Sequence, residues 1–246
     1  TTFTIGWEGS DDASGIAQYE YSVGTTPGDS DVVAWSDAGL VTDAFETSLS
    51  LSEGVTYFAS VRAYDTAGNI SEVLSGDGIT VDLTPPELGT VIDGVETDLI
   101  FTGSVDTLMA TWTGFSDNLS GIEHYEYAVG SLPGDSDIYS WISVGMDTTA
   151  TAADLTLDHA TPYYQSVRAV DLVNNVSLAM TSNGVITDHS APVSGAVIDG
   201  LTEDENWTES SNTLMLSWSG FSDTTSGLQF YEYAFGSSPG GDDIFP

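Results

Sequence analysis

A single repeat constrains this chain more than any other feature. The segment Ser-Gly-Ile-Ala-Gln-Tyr-Glu-Tyr-Ser-Val-Gly, from Ser14 to Gly24, returns as a close variant from Ser120 to Gly130 and again from Ser226 to Gly236, 106 residues apart each time. Trp7, Trp112 and Trp218 stand before the three copies, and Pro27-Gly28, Pro133-Gly134 and Pro239-Gly240 follow them. The two arginines, Arg62 and Arg168, keep the same spacing. A period of about 100 residues is the size of one β-sandwich. The period predicts a partial repeat over 1–85 that lacks its first strand, a complete repeat over 86–191, and a partial repeat over 192–246 that holds first strands only. The joints, Val81-Asp-Leu-Thr-Pro-Pro86 and Thr187-Asp-His-Ser-Ala-Pro192, are short and proline-stiffened, because proline fixes φ and offers no amide to a ladder. Thr1-Thr-Phe-Thr-Ile5 already reads as strand, so the sequence is expected to be a window on a longer chain. Its partial repeats would be completed by further chain or by a neighbouring copy.

Within each repeat the pattern is β. Phe3, Ile5 and Trp7 alternate with smaller or polar residues, and Leu108, Ala110, Trp112 and Leu214, Leu216, Trp218 repeat that face. The following strand sets Tyr19, Tyr21 and Val23 on one side, matched by Tyr125, Tyr127, Val129 and by Tyr231, Tyr233, Phe235. No stretch has helical periodicity of useful length. An all-β sandwich architecture follows, with Trp7, Trp112 and Trp218 in the cores. With 40% hydrophobic and 11% aromatic residues, the chain has enough apolar side chain to build such cores, which separates it from disordered acidic chains. Cysteine is absent, so stability has to come from packing, metal or length.

Lys and Arg total 2 against 38 Asp and Glu, a formal net charge of −36. Two cations cannot displace the counterions of a phosphate backbone, so nucleic acid is excluded as a partner. Anionic membrane surfaces are excluded on the same ground. A chain so acidic repels itself unless salt screens it or cations bind.

The segment Leu51-Ser-Glu-Gly-Val-Thr-Tyr57 with Val61-Arg62-Ala63, and its copy Leu157-Asp-His-Ala-Thr-Pro-Tyr163 with Val167-Arg168-Ala169, resembles the E–F region of fibronectin type III domains. The resemblance implies tyrosine corners at Tyr57 and Tyr163, in which the hydroxyl bonds back to the chain before the strand. Asp65-Thr-Ala-Gly-Asn69-Ile-Ser71 and Asp82-Leu-Thr-Pro85 resemble bacterial immunoglobulin-like repeats of long surface adhesins. Together these imply tandem immunoglobulin-like or fibronectin type III-like β-sandwich domains arranged end to end, outside the cell or on its surface. Gln165 departs from the pattern, standing where an apolar residue should point inward. Asn174 stands in the place of Gly68, a mild change because Asn tolerates a left-handed backbone. No Arg-Gly-Asp tripeptide occurs.

Catalytic signals are few. His124, His159 and His189 have no counterparts in the other repeats, and no nucleophile–base pair or zinc spacing accompanies them. Enzymatic activity is therefore not expected. The carboxylates that recur at turns carry more. Calcium takes six to eight oxygens from carboxylates, carbonyls, amides and water. Sandwich topology would gather the entering linker, the B–C loop and the F–G loop at one pole. In the complete repeat that brings together Asp82, Asp117, Asp171 and Asn175. The first repeat offers Asp11, Asp12, Asp65 and Asn69, and the third Asp188 and Asp223. The competing reading makes each an ordinary Asx turn. The Pro-Gly-Asp turns at Asp29 to Asp31 and Asp135 to Asp137 read as plain turns. Asn69, Asn118, Asn175 and Asn206 begin glycosylation sequons.

These observations lead to a structural segment of an extracellular repeat protein: a stalk, fibre or adhesin extender, rigidified by Ca²⁺ at its joints. Its partners would be neighbouring repeats and other copies in a fibre, with a surface or glycan ligand left open. The alternative is a spacer or carbohydrate-binding module of a secreted polysaccharide-degrading enzyme, for which Trp35 and Trp141 are the candidate sugar-facing aromatics.

Overall fold

The computed structural model describes residues 2–245; Thr1, part of the expected opening strand, and Pro246 lie outside them. The chain divides into two compact units. One holds the residues up to Glu87 with Ser116–Ile122 and Val170–Val176, and the other holds Leu88–Phe115, Glu123–Ala169 and the residues from Ser177 on. Among the described residues no helix forms.

The first repeat contributes β1 (Thr2–Gly6), β2 (Ile16–Gly24), β3 (Val33–Gly39), β4 (Asp43–Thr47), β5 (Thr56–Asp65), β6 (Leu74–Ser75) and β7 (Ile79–Thr80). Strand β1 buries Phe3 and Ile5 and exposes Thr4 and Gly6, the period-two alternation of a half-buried strand. It pairs antiparallel with β4, Phe3 opposite Glu46 and Ile5 opposite Ala44. A second sheet runs in the order β3-β2-β5-β6, with β7 also on β5. Phe3, Ile5, Val23 and Tyr57 form the core between the sheets, with Trp7, Tyr21, Leu49 and Leu51 packed around them.

The second repeat is fuller. It contains β8 (Thr90–Asp93), β9 (Phe101–Thr102), β10 (Leu108–Thr113), β11 (Ile122–Gly130), β12 (Tyr139–Gly145), β13 (Thr149–Ala152), β14 (Pro162–Asp171), β15 (Met180–Thr181) and β16 (Val185–Thr187). One sheet runs β13-β10-β8 and the other β12-β11-β14-β16-β9, with β15 beside β14. Leu108, Ala110 and Trp112 all point inward from β10, as the alternation requires. Trp112 is 1% exposed; its ring meets Tyr125 edge-on at 5.7 Å and stacks on Tyr127 at 6.3 Å. Val129, Val167 and Val185 complete this core, all buried.

Both tyrosine corners are present. The Ser52 amide donates to the Tyr57 hydroxyl at 2.8 Å, and the Asp158 amide donates to the Tyr163 hydroxyl at 2.8 Å. Two turns that use glycine in the first repeat keep the left-handed backbone without it. Asn174 has φ 69° where Gly68 has 88°, and Ala160 has φ 54° where Gly54 has 71°. Asparagine carries such a conformation at little cost, whereas alanine is strained by its Cβ.

The third repeat differs from the sequence expectation. Its described strands are β17 (Ala196–Asp199) and β18 (Leu216–Ser219), one antiparallel pair. Trp218 keeps its aromatic neighbours, Tyr231 at 5.5 Å and Tyr233 at 6.0 Å, yet it is 38% exposed and Tyr233 is 50% exposed. The expectation of three buried tryptophans therefore holds fully for Trp112, half for Trp7, and fails for Trp218. The reason is geometric. In the second repeat the tyrosines lie on β11, held in its sheet between β12 and β14, whereas among the described residues Tyr231 and Tyr233 lie in no strand.

Trp112→Ala is expected to cost about 3–5 kcal/mol in chemical denaturation, the range for deleting a buried large aromatic. Trp218→Ala should cost less, because over a third of that side chain is already exposed. Ala160→Gly should raise stability by roughly 0.5 kcal/mol. Relief of about 1–2 kcal/mol of left-handed strain is set against an entropic cost of about 0.5–1 kcal/mol for glycine. Denaturant midpoints of the three variants against the parent chain check the signs and the order.

Candidate metal centre

Each acidic loop of the second repeat is shaped by its own aspartate. Asp117 Oδ1 accepts the amides of Leu119 at 3.0 Å and Gly121 at 2.8 Å, closing the B–C loop. Asp171, fully buried, accepts the amides of Val173 at 2.9 Å and Asn175 at 2.8 Å through Oδ1, and the Asn175 side-chain amide at 2.8 Å through Oδ2. Asp82, in the linker, turns back on Thr84 N at 3.2 Å with Oδ1 and takes the Ser120 amide at 2.9 Å with Oδ2. These are the Asx turns of the competing reading. They also converge: Asp82, Asp117 and Asp171 each bring one carboxylate oxygen within 4.8 Å of the others. All three belong to the same compact unit.

Asn175 reaches the same place but presents its amide nitrogen, which lies 3.4 Å from the carbonyl oxygens of Asp82 and Thr84. It ties the linker to the F–G loop as a donor. The Ser120 hydroxyl is buried and has no partner in hydrogen-bonding geometry. It stands close enough to Asp82 to hold that carboxyl below the usual range, helped by the Ser120 and Thr84 amides. Sequence reasoning had passed over Ser120, although its recurrence with Ser14 and Ser226 was in view.

The other predicted residues divide. Asp11 accepts the Ser14 amide and hydroxyl and the Gly15 amide, and Asp65 accepts both amides of Asn69. These bonds hold both carboxyls low; the Ser14 hydroxyl dominates at Asp11 and the Asn69 side chain at Asp65. With Asn69 they line a cleft of about 430 Å³ beside Trp7 and Tyr19. Asp12 is exposed, away from these bonds. Asp188 and Asp223 meet on one donor, the Ser226 amide, at 3.1 and 2.9 Å. The linker geometry of Asp82 is thus repeated at Asp188, which also takes the Ser190 amide at 3.0 Å. Its carboxyl is held well below the usual range, chiefly by the Ser226 and Ser190 side chains. Beside it stands His159, with Nδ1 3.6 Å from Asp188. In the first joint the corresponding residue is Glu53, which accepts the Leu83 amide at 2.8 Å.

The aromatics weighed as sugar contacts are engaged elsewhere. The Arg62 guanidinium lies 4.3 Å over the Trp35 ring and Arg168 lies 4.5 Å over Trp141. Arg62 is fixed in turn by Glu20 at 2.6 Å and Arg168 by Glu126 at 2.5 Å. Both tryptophans are half-buried.

No protein-family model matches the chain. The chain is 28% identical over 240 residues to exoglucanase B of Cellulomonas fimi, an alignment covering 94% of this chain and 20% of that protein. It is 27% identical over 187 residues to chitinase A1 of Niallia circulans, covering 75% of this chain and 23% of that one. The chain thus spans about a fifth of the length of the curated relatives it matches. Among solved structures it is similar to the FN1–FN3 domains of chicken CNTN1, with TM-score 0.42, 17% identity, and 76% and 62% of the two chains covered. It is also similar to domains A168–A170 of titin, with TM-score 0.44, 18% identity, and 76% and 59% covered. Strand order, paired tyrosine corners and the β10 tryptophan make the repeats fibronectin type III-like β-sandwiches.

Without a cation, three converging carboxylates repel one another. Asp117→Asn keeps the Oδ1 acceptor for Leu119 and Gly121 and removes one charge. It is expected to raise the melting temperature in chelator at low ionic strength, and to lose that advantage in high salt, where screening shortens the reach of charge to a few ångströms. Melting curves at the two ionic strengths read this directly.

Proposed function

We propose that the chain is a non-catalytic spacer of a secreted polysaccharide-degrading enzyme, built of fibronectin type III-like repeats and stiffened by calcium. The observation that carries this reading is the likeness to exoglucanase B over 94% of the chain, supported by chitinase A1. Both names describe enzymes acting on polysaccharides, and in both the matching part is a small fraction of the whole. The arginine-capped Trp35 and Trp141 favour the spacer over the carbohydrate-binding module, because a ring that holds a guanidinium on one face is not a free sugar platform. The stalk, fibre or adhesin reading rests on the same repeats, and the relatives weigh toward the enzyme. An extracellular location goes with either.

Calcium belongs to this proposal through Asp82, Asp117 and Asp171, with the unpartnered Ser120 hydroxyl as a further oxygen. Coordination would turn their mutual repulsion into attraction and fix the linker to the two loops. An extracellular site of this kind is expected to saturate at about 10⁻⁴–10⁻³ M.

Two measurements test the proposal. Deleting this chain from the full-length protein should leave hydrolysis of soluble oligosaccharides intact and reduce attack on insoluble polymer. The isolated chain should sediment with cellulose or chitin no more than an unrelated acidic protein does. Specific sedimentation would return the binding-module reading, and a deletion without effect on insoluble polymer would remove the spacer. For the metal, calorimetric titration with calcium should show heat that disappears in Asp82→Asn and Asp171→Asn. Millimolar calcium should also reverse the order of melting temperatures of Asp117→Asn and the parent. An unchanged order would remove calcium.

A further inference from the structure

Midway along the inward face of β14, next to Val167, stands the buried polar side chain of Gln165, and its reason lies on β8. Asp93 is completely buried at the end of that strand. Its Oδ1 accepts Gln165 Nε2 at 2.8 Å, and its Oδ2 accepts the Gly184 amide at 3.1 Å. Gln165 Nε2 also donates to the Met109 carbonyl at 2.8 Å, and Gln165 Oε1 accepts the buried Tyr127 hydroxyl at 2.6 Å. The titratable groups facing this chain are Asp98, whose carboxylate takes the Asp93 amide at 3.0 Å, and Tyr139 beside Tyr127 at 6.2 Å. The Ser182 hydroxyl, which takes the Gln165 amide at 3.1 Å, is the remaining polar neighbour. No cation faces Asp93 among the described residues, since the one arginine of the repeat is bound to Glu126. A buried carboxylate without a counter-charge lowers its energy by taking up a proton.

We propose that Tyr127, Gln165 and Asp93 form a proton-responsive lock in the core of the second repeat, in which protonation of Asp93 removes an uncompensated buried charge and tightens β8 against β14. With Asp93 ionised, the tyrosine O–H points to the glutamine oxygen and the glutamine N–H to the carboxylate. With a proton from solvent on Asp93, its O–H turns to the Ser182 hydroxyl, the buried charge is gone, and the bonds from Gln165 Nε2 to Asp93 and to the Met109 carbonyl stay in place. One O–H bond forms and no other covalent bond changes. Glutamine links the two partners because its amide carries both an acceptor for the tyrosine and donors for the carboxyl; a valine or leucine carries neither. A cleft of about 250 Å³, lined by Asp93, Gln165, Leu99 and Met109, gives water a route to the carboxyl. The device belongs to this repeat. Ala59 stands in the first repeat where Gln165 stands in the second, and there Tyr21 donates to Glu46 at 2.6 Å.

Burial pushes the Asp93 carboxyl up, and nearby Asp98 adds to the rise against the lowering bonds from Gln165, Ser182 and Gly184. A carboxyl raised on folding contributes stability that is fully present below its unfolded value of about 3.9 and is lost as pH rises through the folded value. Asp82 and Asp188, with lowered carboxyls, act in the opposite sense. Their contribution is present above about 3.9 and is lost as pH falls further. Above about pH 4, the Asp93 response is therefore the one exposed to view.

Carboxyl ¹³C NMR of the whole chain, with tyrosine Cζ also labelled, tests the lock. Asp93 is expected to titrate above the exposed carboxylates, with the Tyr127 Cζ resonance moving at the same midpoint. Amide exchange of β8 and β14, corrected for intrinsic rates, should slow several-fold from about pH 8 to about pH 5, and Asp93→Asn should abolish that change. Titration of Asp93 together with the exposed carboxylates overturns the proposal. So does a Tyr127 resonance that ignores Asp93, or exchange that keeps its pH dependence in Asp93→Asn. The titration of the parent chain decides the matter even where the variant fails to fold.

Discussion

With 2 basic side chains against 38 carboxylates, the loops of each repeat have to hold their negative charge on backbone N–H groups. Asp11, Asp117 and Asp223 close the same loop by accepting the amides that follow them, and Asp65 and Asp171 do the same in the F–G loop. The Pro-Gly-Asp turns follow suit: Asp31 takes the Thr25 amide at 2.9 Å and Asp137 the Ser131 amide at 2.8 Å. A carboxylate fixed by oriented amides needs no partner cation to stay ordered. That is how three of them can be brought within 4.8 Å of one another by loops that are each locally satisfied. The convergence is a product of topology acting on independently capped turns.

The two arginines serve the sheets. Arg62 lies over Trp35 and is clamped by Glu20, to which the Tyr64 hydroxyl also donates at 2.9 Å. Arg168 repeats the arrangement with Trp141 and Glu126. Register explains the pairing, since Glu20 lies opposite Arg62 across β2 and β5. Opposite charges in a directly facing pair stabilise a sheet modestly, and a guanidinium over indole adds to it. A chain this poor in cations spends both of its arginines on the outer face of the sheet, which leaves the acidic poles to backbone amides and to whatever cation the medium supplies.

The strands, the tyrosine corners and the acidic pole were legible because each rests on a local signal that recurs. Period-two alternation around Trp112 places β10, and the repeated Asp at linker, B–C and F–G positions places the cluster once a sandwich is assumed. Burial of Trp218 was not legible, because it depends on an opposite sheet assembled from strands far apart in sequence. The partner of Gln165 was also missed. Its anomaly was visible, but Asp93 lies 72 residues away on another strand. The recurrence that could have found it is Ile92-Asp93-Gly94 with Ile198-Asp199-Gly200. In both copies the aspartate amide donates to an acid five residues on, Asp98 and Asp204.

The repeats are alike in backbone and unlike in charge, and the difference concentrates at the joints. Asp82 and Asp188 make the same turn and take the same serine amide, at 2.9 and 3.1 Å. Around Asp82 stand Asp117, Asp171 and Glu53, all acids. Around Asp188 stand Asp223 and, in the place of Glu53, His159, whose ring lies 5.9 Å from that of His189. His159 Nδ1 accepts the His189 amide at 3.1 Å, as Glu53 accepts the amide of Leu83. The imidazole therefore preserves the backbone contact that shapes the linker while withdrawing one negative charge from it. A repeat can thus keep its fold, fixed by amides and packing, and vary the charge at its pole by a single substitution at a position whose shared bond is to a linker backbone amide.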